Sequence, residues 1–303
     1  MVREKPLDFI LSTAASRKTS SIWTVRCPGA LTDRFKPHEQ CSSDDSFDFF
    51  PVRLLMRVFL RIREIAMAAG EQSQSITGNR LLALLPKGEY ARLIPFLKPV
   101  NLKRKEVLYH AGDTIKYCYF PLSGIVSLLS PAAEGKAVEV GMVGNEGMIG
   151  VSAPLQIGIT PYDLITQIET EALQIDARIL KAEFNRGGTL HELLLRYIYA
   201  LLCQISQSVV CHHFHTVEQR LARWLLMGRD RLQSNTFPLT QEFLAHLLGI
   251  PRTNVTMTAR ALQQAGLIDY KRGTITITEE KGLEDIACNC YRIIKKATDD
   301  ILK

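Results

Sequence analysis

The 303-residue sequence has no disulfide framework. Its seven cysteines, Cys27, Cys41, Cys118, Cys203, Cys211, Cys288 and Cys290, are odd in number and scattered, which excludes a small cystine-stapled secreted scaffold. No apolar leader opens the chain, because Arg3, Glu4 and Lys5 arrive at once, and a reducing cytoplasm is the expected compartment. The most apolar early stretch, 49–69, is interrupted by Arg53, Arg57, Arg61, Arg63 and Glu64. Burying those charges in lipid is too costly for a spanning segment, so no stable membrane insertion is expected. Lysine and arginine are missing altogether from 141 to 177. No paired acids, nucleophile–base pair or compact metal triad emerges from the strands, so an enzyme on a small-molecule barrel is disfavoured and no catalytic or metal-binding residue is assigned.

The chain does carry an excess of basic residues, with a formal charge of +6, which favours anionic partners without naming one. Three textures follow one another. Residues 1–75 read as a poorly ordered or non-native extension, rich in Ser, Thr and Pro, with an acidic patch at 41–48 and a cationic helix at 51–68. Met67, which begins Met-Ala-Ala-Gly before the ordered region, is a candidate start site. Residues 76–185 hold two short helices and then strand candidates at 106–109, 117–122, 124–130, 137–142, 164–168 and 172–176, punctuated by glycine turns. Many short strands at short intervals predict a closed or sandwich-like β unit of sensor size.

A long helix is expected next, in the segment 189–212. Leu194, Ile198, Leu201 and Ile205 recur at steps of four, three and four, with Leu202 and Val209 broadening the stripe. That spacing marks a seam for another helix. It fits either packing against the chain's own β unit or a homodimer coiled coil, and the dimer is preferred.

Residues 213–296 read as a winged helix-turn-helix. A helix at 215–232 precedes Thr240, an N-cap candidate for 241–248, which Gly249 ends. Pro251 then opens a helix at 252–265 whose inner face is Val255, Ala259 and Leu262. Its outward residues are Arg252, Thr253, Asn254, Thr256, Thr258 and Arg260, and the first five with Thr240 and Gln241 form the candidate DNA-contacting set. Arg252 can offer two donors to guanine, Asn254 can pair with adenine, and the threonines can touch phosphate or a thymine methyl. A hairpin follows with Lys271 and Arg272 at its tip, placed for backbone phosphates.

This ordered set resembles the bacterial Crp/Fnr-type transcription regulators, with a cyclic-nucleotide-binding-like β-roll at 79–183 and the winged helix-turn-helix after it. The implied fold is α+β: an N-terminal β-roll, a long dimerisation helix and a C-terminal winged helix-turn-helix. The family's recognition helix usually begins Ser-Arg-Glu-Thr-Val-Gly-Arg. The matching stretch is Pro251-Arg252-Thr253-Asn254-Val255-Thr256-Met257, which keeps the first arginine and replaces the glutamate with Thr253 and the second arginine with Met257. A familiar operator sequence is therefore not implied. The resemblance does imply a homodimer on duplex DNA, with RNA polymerase and a small-molecule effector as further candidate partners.

The resemblance also implies a phosphate cassette, a glycine-rich turn followed by a ribose-binding glutamate and a phosphate-binding arginine. The matching turn runs from Gly144 through Glu146, Gly147 and Gly150 to Val151. Val151 stands where the glutamate belongs, and the arginine position falls near Thr160 or Pro161, beside Tyr162. Gly144, Glu146, Gly147, Gly150, Val151 and Tyr162 are candidate effector contacts, but without a cation cyclic AMP or cyclic GMP is not expected. The effector is unknown. A cyclic-nucleotide-controlled adaptor that does not bind DNA is the alternative function. Cys203 and Cys211 read as ordinary thiols and His212, His213 and His215 as surface or hinge histidines. Cys288 and Cys290 lie on a helical segment, 282–296, where they should point to different sides.

Overall fold

Asn79 ties the start of the described chain to its core. Its Oδ1 accepts from Leu82 N at 3.1 Å, while its Nδ2 donates to the carbonyls of Pro121 and Gly147. A computed structural model describes residues 78–132 and 137–303; the N-terminal extension, its cationic segment and Met67 lie outside the described residues. The helices α1 (Arg80–Ala83) and α2 (Lys87–Leu93) lead through a 3-10 turn into seven strands: β1 (Lys98–Leu102), β2 (Val107–Tyr109), β3 (Tyr117–Pro121), β4 (Ile125–Pro131), β5 (Ala137–Val143), β6 (Asp163–Ile168) and β7 (Thr170–Asp176).

These strands form two antiparallel sheets, β2-β6-β4-β5 and β1-β7-β3. Phe120, Val126, Leu128, Val143, Leu164 and Ile175 form part of one buried cluster within this β-roll. Strand β1, absent from the sequence reading, is mostly exposed and among the described residues pairs only with β7. Its Pro99 is tolerated there because an edge strand need not donate on both sides.

Helix α3 (Ala177–Asn185) is capped by Asp176, whose Oδ1 accepts from Arg178 N at 2.8 Å. The long helix α4 (Thr189–Phe214) starts at Gly188 without a side-chain cap of its own. Glu89 of α2 supplies one, its two oxygens accepting from Thr189 N and Leu190 N at 3.0 and 2.8 Å. A carboxylate at a helix N-terminus satisfies orphan amides and opposes the helix dipole. By length and apolarity α4 could cross a membrane, yet Leu190, Leu193, Leu194, Tyr197, Ala200 and Leu201 lie in the chain's own core.

This corrects the expected dimer seam. Leu194 and Leu201 are buried inside the chain, Ile198 and Ile205 are half-buried, and Leu202 and Val209 are exposed. The outward line is Leu195, Tyr199, Leu202, Ser206, Val209 and His213, of which all six are exposed. It repeats every four and three residues, the period of a coiled-coil seam, rotated from the predicted stripe. Two stripes share one helix, and only burial tells them apart.

The C-terminal head comprises α5 (Val217–Leu232), β8 (Thr236–Pro238), α6 (Gln241–Leu248), α7 (Arg252–Gln264), β9 (Ile268–Lys271), β10 (Thr274–Ile277), α8 (Glu280–Ile286) and α9 (Cys290–Ile301), with β8-β10-β9 as a small sheet. Thr216 and Gln219 form a capping box at the start of α5, which fixes where the hinge after α4 ends. The head packs on the β-roll: Ile125, Leu129, Met142 and Ile168 share one buried cluster with Trp224, Leu225 and Phe237. The expected helix at 282–296 is instead two. Ala287 is extended, at φ −61° and ψ 142°, so Cys288 stands in the break and Cys290 opens α9.

Candidate nucleic-acid interface and sensor cavity

In the helix-turn-helix, Thr240 Oγ1 accepts from Phe243 N at 3.3 Å, the expected N-cap. Gly249 ends α6 in the left-handed region, at φ 63°, a conformation glycine adopts without cost. Pro251 then starts α7, whose amide-free nitrogen suits the first turn. Val255, Ala259 and Leu262 are buried against the rest of the head, and Arg252, Thr253 and Asn254 are exposed at the front of the helix.

Thr256 Oγ1 donates to Gln241 Oε1 at 2.8 Å, locking the two helices to each other. Thr258 departs from the sequence reading: it is buried with the inner face, since position 258 is three residues on from Val255 and one before Ala259. Its expected outward place is taken by Met257, 70% exposed, with Arg260 exposed beyond it. Met257 departs from the family's motif, but its spacing of four from Thr253 signals the same face.

The wing is a two-residue hairpin. Lys271 pairs with Thr274, and Arg272 and Gly273 take left-handed φ values of 51° and 77°, the turn whose twist matches antiparallel strands. Lys271 Nζ is held by Asp269 Oδ2 at 2.8 Å, and Arg272 forms no ion pair among the described residues. Arg272 is thus the wing cation without an acidic partner among the described residues, and Lys271 is partly neutralised.

The sensor half contains a cavity of about 420 Å³ between the β-roll and α4. Val143, Met148, Leu164, Leu201 and Ile205 form its walls with Val151 and Tyr162, and among the described residues no ionisable side chain other than the Tyr162 phenol lines it. The cassette candidates therefore divide. Gly150, Val151 and Tyr162 border the cavity, whereas Gly144, Glu146 and Gly147 do not. Glu146 is buried on the other side, its Oε1 2.9 Å from Arg231 Nε of α5 and its Oε2 accepting from Gly144 N at 3.0 Å.

Close packing explains the glycines. A Cβ at Gly144 would stand 2.7 Å from Arg231 Cβ, and one at Gly147 would overlap the Tyr197 ring. The turn that cradles phosphate elsewhere is here a seat for α4 and α5. Gln204 of α4 completes it, exchanging hydrogen bonds with Met142 N and Met142 O while accepting from Arg231 Nη2 at 3.3 Å.

A second buried polar link joins sensor and head. Glu139 of β5 accepts from Trp224 Nε1 at 2.8 Å and from Ser127 Oγ at 2.6 Å. Burial pushes its carboxyl up to about 7, against the donors and the nearby charges of Arg223 and Arg231. The sequence offered no sign of this pair, which lies 85 residues apart in the chain.

The structure also gathers Cys211, His215, Cys288 and Cys290 into one cluster at the α4–α5 hinge. A continuous helix through 288 and 290 would hold the two cysteines apart; the break at Ala287 brings them together.

Comparison with known proteins agrees with both halves. Residues 99–186 match the cyclic nucleotide-binding domain family and residues 219–286 match the Crp-like helix-turn-helix domain family. A curated relative, described as a CRP-like cAMP-activated global transcriptional regulator of Mycobacterium tuberculosis, is 24% identical over 200 residues, 64% of this chain and 89% of its own. FixK2 from Bradyrhizobium japonicum has the same fold, with a TM-score of 0.56 at 15% identity, covering 63% of this chain and 98% of that one. A CRP/FNR-family transcriptional regulator from Thermus thermophilus superposes with a TM-score of 0.52 at 21% identity, covering 63% and 98%. With a cyclic nucleotide-binding domain, a long helix and a Crp-like helix-turn-helix domain in this order, the chain belongs to the Crp/Fnr-type family of transcription regulators.

Proposed function

We propose that the protein is a cytoplasmic homodimer that reads an approximately two-fold DNA site and whose β-roll responds to an apolar effector. One observation carries the DNA part: Arg252, Thr253 and Asn254 stand exposed at the front of α7, beside a wing whose Arg272 is unpaired among the described residues. A helix presented this way can enter a major groove while the wing meets the backbone. The heptad-spaced outer line of α4, from Leu195 to His213, supports a parallel two-fold partner.

The mycobacterial relative is named for activation by cyclic AMP. For this chain, an uncharged ligand is favoured over a cyclic nucleotide. A cyclic phosphate in a cavity without a cation forfeits its hydration with no charge to replace it, and Glu146, the one acid of the turn, is already committed to Arg231. The cavity abuts α4 beside the outward line, so filling it can bias how two long helices pack and hence how two heads are presented.

Selection of bound sequences from random duplex DNA tests the reading, with Arg252→Ala in parallel. A two-fold motif enriched by the wild-type dimer and lost in the variant is the expected result. A folded protein that enriches no motif, with or without a panel of apolar ligands, would favour the adaptor function instead.

A further inference from the structure

The α4–α5 hinge carries four side chains whose roles the regulator reading leaves unused. Cys211 lies on the last turn of α4 and His215 directly follows that helix, while Cys288 stands in the break before α9 and Cys290 opens it. One ligand atom from each, three thiol sulfurs and an imidazole nitrogen, lies within 4.8 Å of every other. Cys211 Sγ is 3.5 Å from Cys288 Sγ, and Cys290 Sγ is 3.5 Å from His215 Nδ1. All three cysteines are buried and His215 is half-buried.

We propose that Cys211, His215, Cys288 and Cys290 bind one tetrahedral divalent metal ion of the zinc type, which staples the C-terminal helix α9 to the end of the dimer helix.

The geometry fits a single ion. With zinc–sulfur bonds near 2.3 Å and zinc–nitrogen bonds near 2.0 Å, the edges of a tetrahedron are about 3.5–3.8 Å. An iron–sulfur cluster needs its thiolates farther apart, because several iron atoms must stand between them. Three thiolates and a neutral imidazole around a divalent ion leave one negative charge, and the surroundings are suited to it. Arg220 and Arg223 of α5 are both buried, neither has an ion pair among the described residues, and Arg223 acts by its charge on all three thiols. Two buried guanidiniums without an acid are costly unless an anion lies beside them. Cys290 also opens α9, a 12-residue helix, whose N-terminal dipole favours a thiolate.

Binding replaces three thiol protons, which pass to solvent, and needs no oxidant. Its mechanical consequence follows from position. The segment 215–216 is the only covalent link from α4 into the DNA head, and the staple would add a second link to α9 and so fix the head's angle.

The test is metal analysis of the full chain purified under reducing conditions, followed by titration of the metal-stripped, reduced protein with cobalt(II). The expected result is one zinc per chain, and an intense visible spectrum of tetrahedral thiolate–cobalt saturating at one equivalent. Cys288→Ser with Cys290→Ser should reduce bound zinc at least tenfold, whereas Cys203→Ser, outside the cluster, should keep it. Cys290→His retains a ligand and should keep the ion where Cys290→Ala loses it, so a folding failure of the double variant leaves the comparison intact. Absence of zinc together with a weak octahedral cobalt spectrum would overturn the proposal. So would a Cys211–Cys288 disulfide in freshly isolated protein, or iron with acid-labile sulfide in place of zinc.

Discussion

Trp224 of α5 donates its indole N–H to Glu139 of β5 across 2.8 Å, and both side chains are buried. This bond crosses from the DNA head to the sensor sheet, so the ionisation of Glu139 is felt at the contact between them. The carboxyl sits at about 7 in the folded chain against an ordinary value of 4.5, mainly because of burial. A group raised in the folded state contributes stability that is complete below its unfolded value and lost as pH climbs through the folded one. Glu139→Gln keeps an acceptor for Trp224 and removes the titration. The wild-type chain should therefore lose stability relative to Glu139→Gln between about pH 4.5 and 7, by a few kcal/mol at most. Urea denaturation of both proteins from pH 4 to 8 checks this, and a constant difference would remove Glu139 as the titrating group.

Glu146 and Arg231 form an ion pair with both side chains under a tenth exposed. Removing one partner leaves the other charged and buried, which costs roughly 3–5 kcal/mol. Glu146→Ala should show that loss in denaturant titration. Glu146→Leu combined with Arg231→Met should recover most of it, because neither charge then remains. A small loss in Glu146→Ala would mean that water reaches the pair.

Met257 lies on the outward face of the recognition helix, four residues on from Thr253. Its unbranched, apolar side chain suits a thymine methyl. Met257→Arg should exchange that preference for guanine at one position per half-site, and a good bidentate arginine contact is worth about 1–3 kcal/mol of discrimination. Sequence selection with the two proteins should show one altered column, with the Arg252 column unchanged. An identical motif would place Met257 outside the groove.

Leu202 and Val209 are both more than half exposed on the outer line of α4. Leu202→Glu with Val209→Glu should weaken the proposed dimer at least tenfold, because four like charges would meet on its two-fold seam. Leu194→Ala removes a side chain buried in the chain's own core and should lower stability by about 2–5 kcal/mol while leaving the dimer affinity of the folded protein intact. Molar mass measured over a dilution series distinguishes the two variants.

The apolar cavity of about 420 Å³ should bind an uncharged naphthylamine fluorophore with a rise in emission. Val151→Phe, which places a larger side chain on the wall, should weaken binding at least tenfold. Millimolar cyclic AMP should displace none of the probe. Displacement by cyclic AMP would show that backbone groups alone can hold its phosphate.

What the amino-acid order determined by itself is mostly local. Thr240, Gly249 and Pro251 mark the helix-turn-helix because capping, left-handed φ and a missing amide are decided within a few residues. The bounds of α6 followed from the same signals. The stretch from 141 to 177 contains no lysine or arginine, and its Val143, Met148, Val151 and Leu164 line the sensor cavity.

Tertiary structure decided whatever depended on which face meets which neighbour. Helix α4 carries two apolar stripes of similar period, and only contact with the β-roll shows that Leu194 and Leu201 are inside while Leu202 and Val209 are outside. Glu146 could have faced a ligand until α5 brought Arg231 to it. Cys288 and Cys290 would diverge on a continuous helix. The extended backbone of Ala287 turns both toward Cys211 and His215, 73 or more residues away in the chain. Periodicity encodes a face, but the partner of that face is set by chain closure over distances that no local pattern records.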